Sequence, residues 1–169
     1  MTRKMDVLET PPEEELAIVL HNGENDRVAE LLEFGVDPNL RSEHESYAAV
    51  ACRVGNHIGL LRLLKAGAKI TRPVLSDAIL GGNPRCADRV LDELYYEGLE
   101  LDVDVEASQI LLRRGTTPKL NVPMLQWLAK QGVDLAVRSA HGSSLYELAE
   151  RDRASDEVIA FLRDFDDRA

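Results

Sequence analysis

Two stretches of this chain keep the same beat. Gly23 and Gly35 stand twelve residues apart in HNGENDRVAELLEFGVDPN, and Gly55 and Gly67 repeat that interval in RVGNHIGLLRLLKAGAKIT. Leu31 and Leu32 of the first copy correspond to Leu63 and Leu64 of the second, a shift of 32 residues. A fixed period in that range marks one supersecondary unit copied and stacked, because a lone helix pair cannot bury its apolar face without a neighbour.

Composition sets the class of unit. Aromatic residues make up 5 % of the 169, and leucine recurs in pairs. This suits helix-on-helix packing better than a sandwich built from Val, Thr and Tyr, so the expected fold is all-α. Twenty basic against thirty acidic side chains give a formal charge of -10. Such a field repels phosphate backbones and anionic lipid headgroups, which argues against nucleic acid or membrane as the primary partner. It attracts a basic protein, although an acidic surface also serves solubility alone. Cys52 and Cys86 lie in apolar contexts without a CxxC spacing, so two buried thiols in a reduced compartment are expected, with no disulfide between them. The start MTRKMDVLETPPEEE has no apolar signal core, and no run approaches the ~18 apolar residues that cross a bilayer. A cytoplasmic protein is the resulting expectation.

Along the chain, residues 1–12 read as a polar lead and 13–169 as a single repeat domain. Glu13, Glu14 and Glu15 load a helix N-terminus behind Pro11 and Pro12, and Leu16, Val19 and Leu20 make the apolar stripe that Gly23 ends. Asn25 or Asp26 is placed to cap the second helix, carrying Val28, Leu31 and Leu32 to Gly35. The second unit starts near Ser46 with the small residues Ala48, Ala49, Ala51 and Cys52, and continues with Leu60, Leu61, Leu63 and Leu64. Small side chains let neighbouring helices approach closely. A third unit runs from Val74 to Gly81-Gly82 and from Pro84 to Gly98; a fourth from about Ala107 to Gly115 and from Asn121 to Gly132. The fifth comprises HGSSLYELAERD and DEVIAFLRDF. Asp102, Asp104 and Glu106 read as alternating in an extended, solvated stretch.

Gly35-Val-Asp-Pro-Asn39, Gly67-Ala-Lys-Ile-Thr71 and Gly132-Val-Asp-Leu-Ala136 are similar to the G-A-D-V-N turn that closes an ankyrin repeat. Gly142, Ser144, Tyr146 and Ala149 are similar to its G-x-T-x-L-x-x-A opening. The chain thus resembles an ankyrin-repeat protein of about five units over residues 13 to 165, with Ser46-Tyr-Ala-Ala49 where the family has T-P-L-H. The resemblance implies an ankyrin-repeat solenoid with short or truncated β-hairpin fingers. Gly35 to Ala48 and Gly132 to Tyr146 leave room for a finger; Gly67 to Leu75 leaves only a tight turn around Arg72 and Pro73.

No GxSxG, HExxH, GxxxxGK[ST] or strand-borne GxGxxG is present. Gly81-Gly82 lacks a lysine and a preceding strand and reads as an interhelix turn. His21, His44, His57 and His141 fall in different units, without the convergent spacing of a metal site. Cys52 has Arg53 but no base beside it, so it reads as core. Trp127 stands one step before the expected core Leu128, which makes partial exposure on the convex back conceivable. No catalytic residue, cofactor or metal ligand is assigned.

Aligning the last turn of each first helix gives His21-Asn22, Arg53-Val54, Leu80-Gly81, Arg113-Arg114 and Arg151-Asp152. The resemblance implies that these positions face a concave groove. Recurrent arginine there predicts a local charge opposed to the global one, unless it only complements the helix dipoles. The expected function is a noncatalytic protein–protein interaction module, a monomer when unbound. It holds a partner protein through the groove and finger loops at Glu43, His44, Glu45, Arg53, Arg113, Arg114, Ser139 and His141. In its sharper form it is an inhibitor or immunity-type protein masking a basic partner. The competing expectation is a small enzyme or metal/ligand sensor with an acidic cleft between units, at residues such as Asp77 or Asp104.

Overall fold

A computed structural model of the chain describes residues 10–42, 45–114 and 119–167. The expected polar lead up to residue 9, Glu43, His44 and Gly115 lie outside the described residues, as does the side chain of Arg114. The described residues are mostly helical, in the order α1 (Pro12–Asn22), α2 (Asn25–Phe34), β1 (Arg41–Ser42), β2 (Glu45–Ser46), α3 (Tyr47–Arg53), α4 (His57–Lys65), α5 (Pro73–Leu80), α6 (Pro84–Tyr96), α7 (Val103–Arg114), α8 (Val122–Lys130), α9 (Leu145–Arg151) and α10 (Asp156–Asp166). Local chemistry explains most ends. Pro12 and three glutamates open α1, and Gly23 closes it at φ 75°, its N–H donating to the Leu20 carbonyl. Ser46 caps α3 by accepting from the Ala49 N–H, and Ser144 and Glu147 form a reciprocal capping box on α9.

Two starts differ from expectation. Asn25 is the first residue of α2 rather than its cap; Glu24 holds the cap position and makes no side-chain capping bond. The helix α7 begins at Val103 instead of near Ala107, because Asp102 Oδ1 accepts the Val105 N–H at 3.2 Å and supplies an N-terminal cap. Asp104 and Glu106 therefore belong to a helical first turn, where negative charge favours the macrodipole, and not to an extended stretch.

Helices pack as two rows. Within hairpins, α1 lies against α2, α3 against α4, α5 against α6, and α9 against α10. Between hairpins, α1 contacts α3, α3 contacts α5 and α5 contacts α7 along one row; α2, α4, α6, α8 and α10 contact one another in turn along the other. The odd-numbered helices bring small side chains to this row, Ala48, Ala49, Ala51 and Cys52 of α3 and Ala78 of α5 all being buried. The even-numbered row fills the space behind with Leu60, Leu63, Val90, Leu91, Leu94, Met124, Leu125 and Leu128, all buried. Trp127 is buried too, its Nε1–H donating to Asp88 Oδ1 of α6 at 2.5 Å, so it offers no exposed face. Tyr47 is wholly buried, with its hydroxyl donating to the Glu13 carbonyl at 2.8 Å across hairpins. Tyr47→Phe, which keeps the ring and removes that bond, is expected to cost about 1 kcal/mol in urea-monitored unfolding.

Three asparagines sew successive hairpins together. Asn56 caps α4 by accepting the Gly59 N–H at 2.9 Å while its Nδ2 donates back to the Leu20 carbonyl at 3.0 Å. Asn83 caps α6 on the Arg85 N–H at 3.1 Å and donates to Gly55 O at 2.7 Å. Asn121 caps α8 on the Met124 N–H at 3.0 Å and donates to Gly82 O at 2.8 Å. Each side chain thus satisfies a helix N-terminus and a carbonyl in the hairpin before it.

The connections at the other end of the hairpins are uneven. The strands β1 and β2 pair antiparallel, Arg41 opposite Ser46 and Ser42 opposite Glu45. A single bridge joins Arg138 and Ser144 in the segment before α9. Residues 66–72 make no strand and turn directly into α5 at Pro73. Among the described residues no helix is long and apolar enough to cross a membrane.

Candidate functional site

The surface of the odd-numbered row carries the largest departure from ordinary burial on α1. Leu16, Val19 and Leu20 are buried, yet Ile18 is 51 % exposed. It lies with Ala17 of its own helix and Val50 and Val54 of the next hairpin in a shallow apolar depression, rimmed by His21, Asn22, Arg53 and Glu45. Glu45 also lines a second depression, between β2 and the start of α5, whose other walls include Asn39, Lys69, Thr71 and Asp77. Asn39 braces that second wall: its Nδ2 donates to Gly67 O at 3.0 Å and its Oδ1 accepts the Lys69 N–H at 2.8 Å.

Arg53 separates the two depressions. Its guanidinium donates to Asp77 Oδ1 at 3.1 Å from both Nε and Nη2, and it also pairs with Glu45. The bond to Glu45 leads the causes that push its pKa above the ordinary guanidinium value. The carbonyl of the same residue accepts Lys119 Nζ at 2.9 Å, an ammonium set at the C-terminal end of α3, where the helix dipole favours it. Lys119 reaches α3 over Gly81-Gly82: a β-carbon on Gly82 would stand 2.1 Å from the Lys119 carbonyl oxygen. The Arg53 guanidinium is therefore held by two carboxylates, which offset at α3 the positive charge expected from recurrent arginine. Arg151 is likewise paired, with its neighbour Asp152 at 2.9 Å. Arg113, in the last turn of α7, is exposed.

Of the expected contact residues, Glu45 and Arg53 meet directly. Ser139 and His141 share the turn before α9, far along the chain. The Ser139 hydroxyl accepts the Ser143 N–H at 3.1 Å and its amide donates to Ser143 O at 2.8 Å, which leaves exposed His141 at the tip. The expected residues thus fall in separate places, Glu45 paired with Arg53 and His141 at a loop tip. Sequence reasoning did not single out Ile18, Val50, Asp77 or Lys119 as parts of this surface. An aliphatic Ile18 between buried neighbours carries no distinguishing local signal, and the reach of Lys119 depends on glycines some forty residues away.

The acidic residues considered for a cleft are engaged otherwise. Asp77 holds Arg53, and Asp104 Oδ1 accepts the Asp134 N–H at 2.8 Å and the Ser108 hydroxyl at 3.3 Å. Among the described residues no three His, Cys, Asp or Glu side chains gather as metal ligands. His57 opens α4, and burial, followed by the charges of Arg85 and Arg89, holds its imidazole below the usual histidine range. Cys52 and Cys86 are buried free thiols hydrogen-bonded to each other, which with burial pushes the Cys52 thiol well up and away from thiolate chemistry. The surface offers an apolar hollow, a braced turn and ion pairs. No protein-family model matches the sequence, and no curated protein matches it.

Proposed function

We propose that the chain is an ankyrin-repeat solenoid of about five helical hairpins acting as a noncatalytic protein-binding module. The partner lies along the odd-numbered row and the turn tips. The observation that carries this reading is the half-exposed Ile18 in its hollow between α1 and α3, beside the Glu45–Arg53–Asp77 bridge. An aliphatic side chain left open in a shape-defined recess, ringed by polar groups, is the anatomy of an interface centre and rim. Two rows of helices in which each hairpin contacts its neighbours support the solenoid, as do the closing glycines at Gly35, Gly67 and Gly132, all at positive φ.

The net charge of -10 directs the reading toward a basic partner, which the module would mask as an inhibitor or immunity-type protein. Charge complementarity of that kind accelerates encounter, so the association rate is expected to fall steeply as salt rises. Affinity purification at low and high ionic strength, read by mass spectrometry, identifies the partner. Ile18→Arg, which fills the hollow with a cation that a basic partner repels, is expected to weaken that complex at least tenfold while the circular dichroism stays helical. Unchanged affinity would reject the groove as the contact surface.

A further inference from the structure

Among the described residues, four of the nine large apolar side chains left exposed fall within residues 95–105: Tyr95 and Tyr96 in the last turn of α6, Leu99 in the following loop, and Val105 in the first turn of α7. Scattered single apolar residues are ordinary on a surface; a local group of them at one turn marks a contact site. Tyr96 is 87 % exposed and Tyr95 50 %. Among the described residues nothing hydrogen-bonds either hydroxyl or stacks on either ring.

Negative charge collects at the same turn. Tyr95, Glu100, Asp102, Asp104 and Gln131 line one open depression there. Glu97 follows α6 directly, and Asp134 joins the group through its N–H bond to Asp104. Nearby Glu93 and Glu106 already carry arginine partners, Arg89 and Arg72. Glu97 and Glu100 have no cationic partner among the described residues, and Lys130, beside Gln131, is the flanking cation. Aromatic faces attract cations through the ring quadrupole, and adjacent carboxylates strengthen that preference. A nucleic acid or a second copy of this acidic chain would meet like charge here.

We propose that this turn docks a short arginine-rich segment of a partner protein, with guanidinium groups over Tyr95 and Tyr96 and paired to Glu97 and Glu100. The surface is separate from the hollow between α1 and α3, and it stands if that reading fails. Planar guanidinium suits it better than ammonium, because it stacks on a ring face and forks onto a carboxylate at once.

The test is fluorescence anisotropy of fluorescein-labelled octa-arginine with the full chain, using octa-citrulline and octa-glutamate as controls. Octa-arginine alone is expected to bind. Tyr95→Ala with Tyr96→Ala is expected to weaken it at least tenfold, as is Glu97→Gln with Glu100→Gln. Tyr95→Phe with Tyr96→Phe, which keeps both faces, and Ile18→Ser, which lies in the other hollow, should each stay within twofold. The tyrosines are exposed, so circular dichroism of the alanine variant should match the parent. Equal affinity of the double alanine variant and the parent would overturn the proposal, leaving only general acidity. Absence of octa-arginine binding, or a sedimentation-detected dimer that the double alanine variant abolishes, would also overturn it.

Discussion

Alanine at Gly81 is expected to destabilise the fold by about 3 kcal/mol, the upper end of what an overpacked core ordinarily shows. The backbone there has φ -73°, which any residue adopts, so conformational strain contributes nothing. What forbids the side chain is space. A β-carbon would stand 2.0 Å from the Cys52 carbonyl oxygen and 3.0 Å from that of Asp77, atoms held in the helices α3 and α5 themselves. The Cys52 oxygen, across the helix contact, cannot retreat without separating α3 from α5 at the middle of the odd-numbered row. Gly98 is the matching control, since its φ of +77° opposes a side chain while no atom lies within 4 Å of the added carbon. Gly98→Ala should therefore cost about 1 kcal/mol, the strain of one left-handed residue. Urea titration of both variants measures the difference; equal, small losses would show that α3 and α5 do not approach as described.

Asn83→Asp should be at least as damaging as Asn83→Ala, a loss of about 2 to 4 kcal/mol, although aspartate is as good a helix cap as asparagine. The reason is that Asn83 does two things with two different atoms. Its Oδ1 accepts the Arg85 N–H at 3.1 Å, a role aspartate keeps. Its Nδ2 donates to the Gly55 carbonyl at 2.7 Å, and aspartate would present a charged acceptor to that acceptor. Losing the cap contributes roughly 1 kcal/mol and the unpaired carbonyl roughly 1 to 3 kcal/mol more. Thermal unfolding of the two variants separates the roles. Aspartate near the parent's stability would mean that the seam between hairpins adds little.

The hairpin plan was legible because glycine spacing and leucine pairs are local. Gly23, Gly35, Gly67 and Gly132 all adopt the positive φ that ends a helix, and Ser46 caps where the pattern placed a start. Between units the sequence was less transparent. Asn56 and Asn83 follow glycines and look like simple caps; only the packing shows their second bond to the hairpin before. The Gly81-Gly82 pair was legible as a turn, but its use as a gap for Lys119 involves partners distant in sequence. At the candidate site, Glu45 and Arg53 could be singled out individually. Their pairing through Asp77 could not, since Arg53 and Asp77 are brought together only when α5 docks on α3. The expected start near Ala107 failed because Asp102, read as loop charge, caps α7.

Hydrogen exchange of the chain alone and in complex with its purified partner tests the binding surface most directly. Slowed exchange in α1, β2 and α3 around Ile18 and Arg53, with α2 and α4 unchanged, is the predicted result. Protection confined to the even-numbered helices, with the hollow between α1 and α3 exchanging as freely as before, would contradict it.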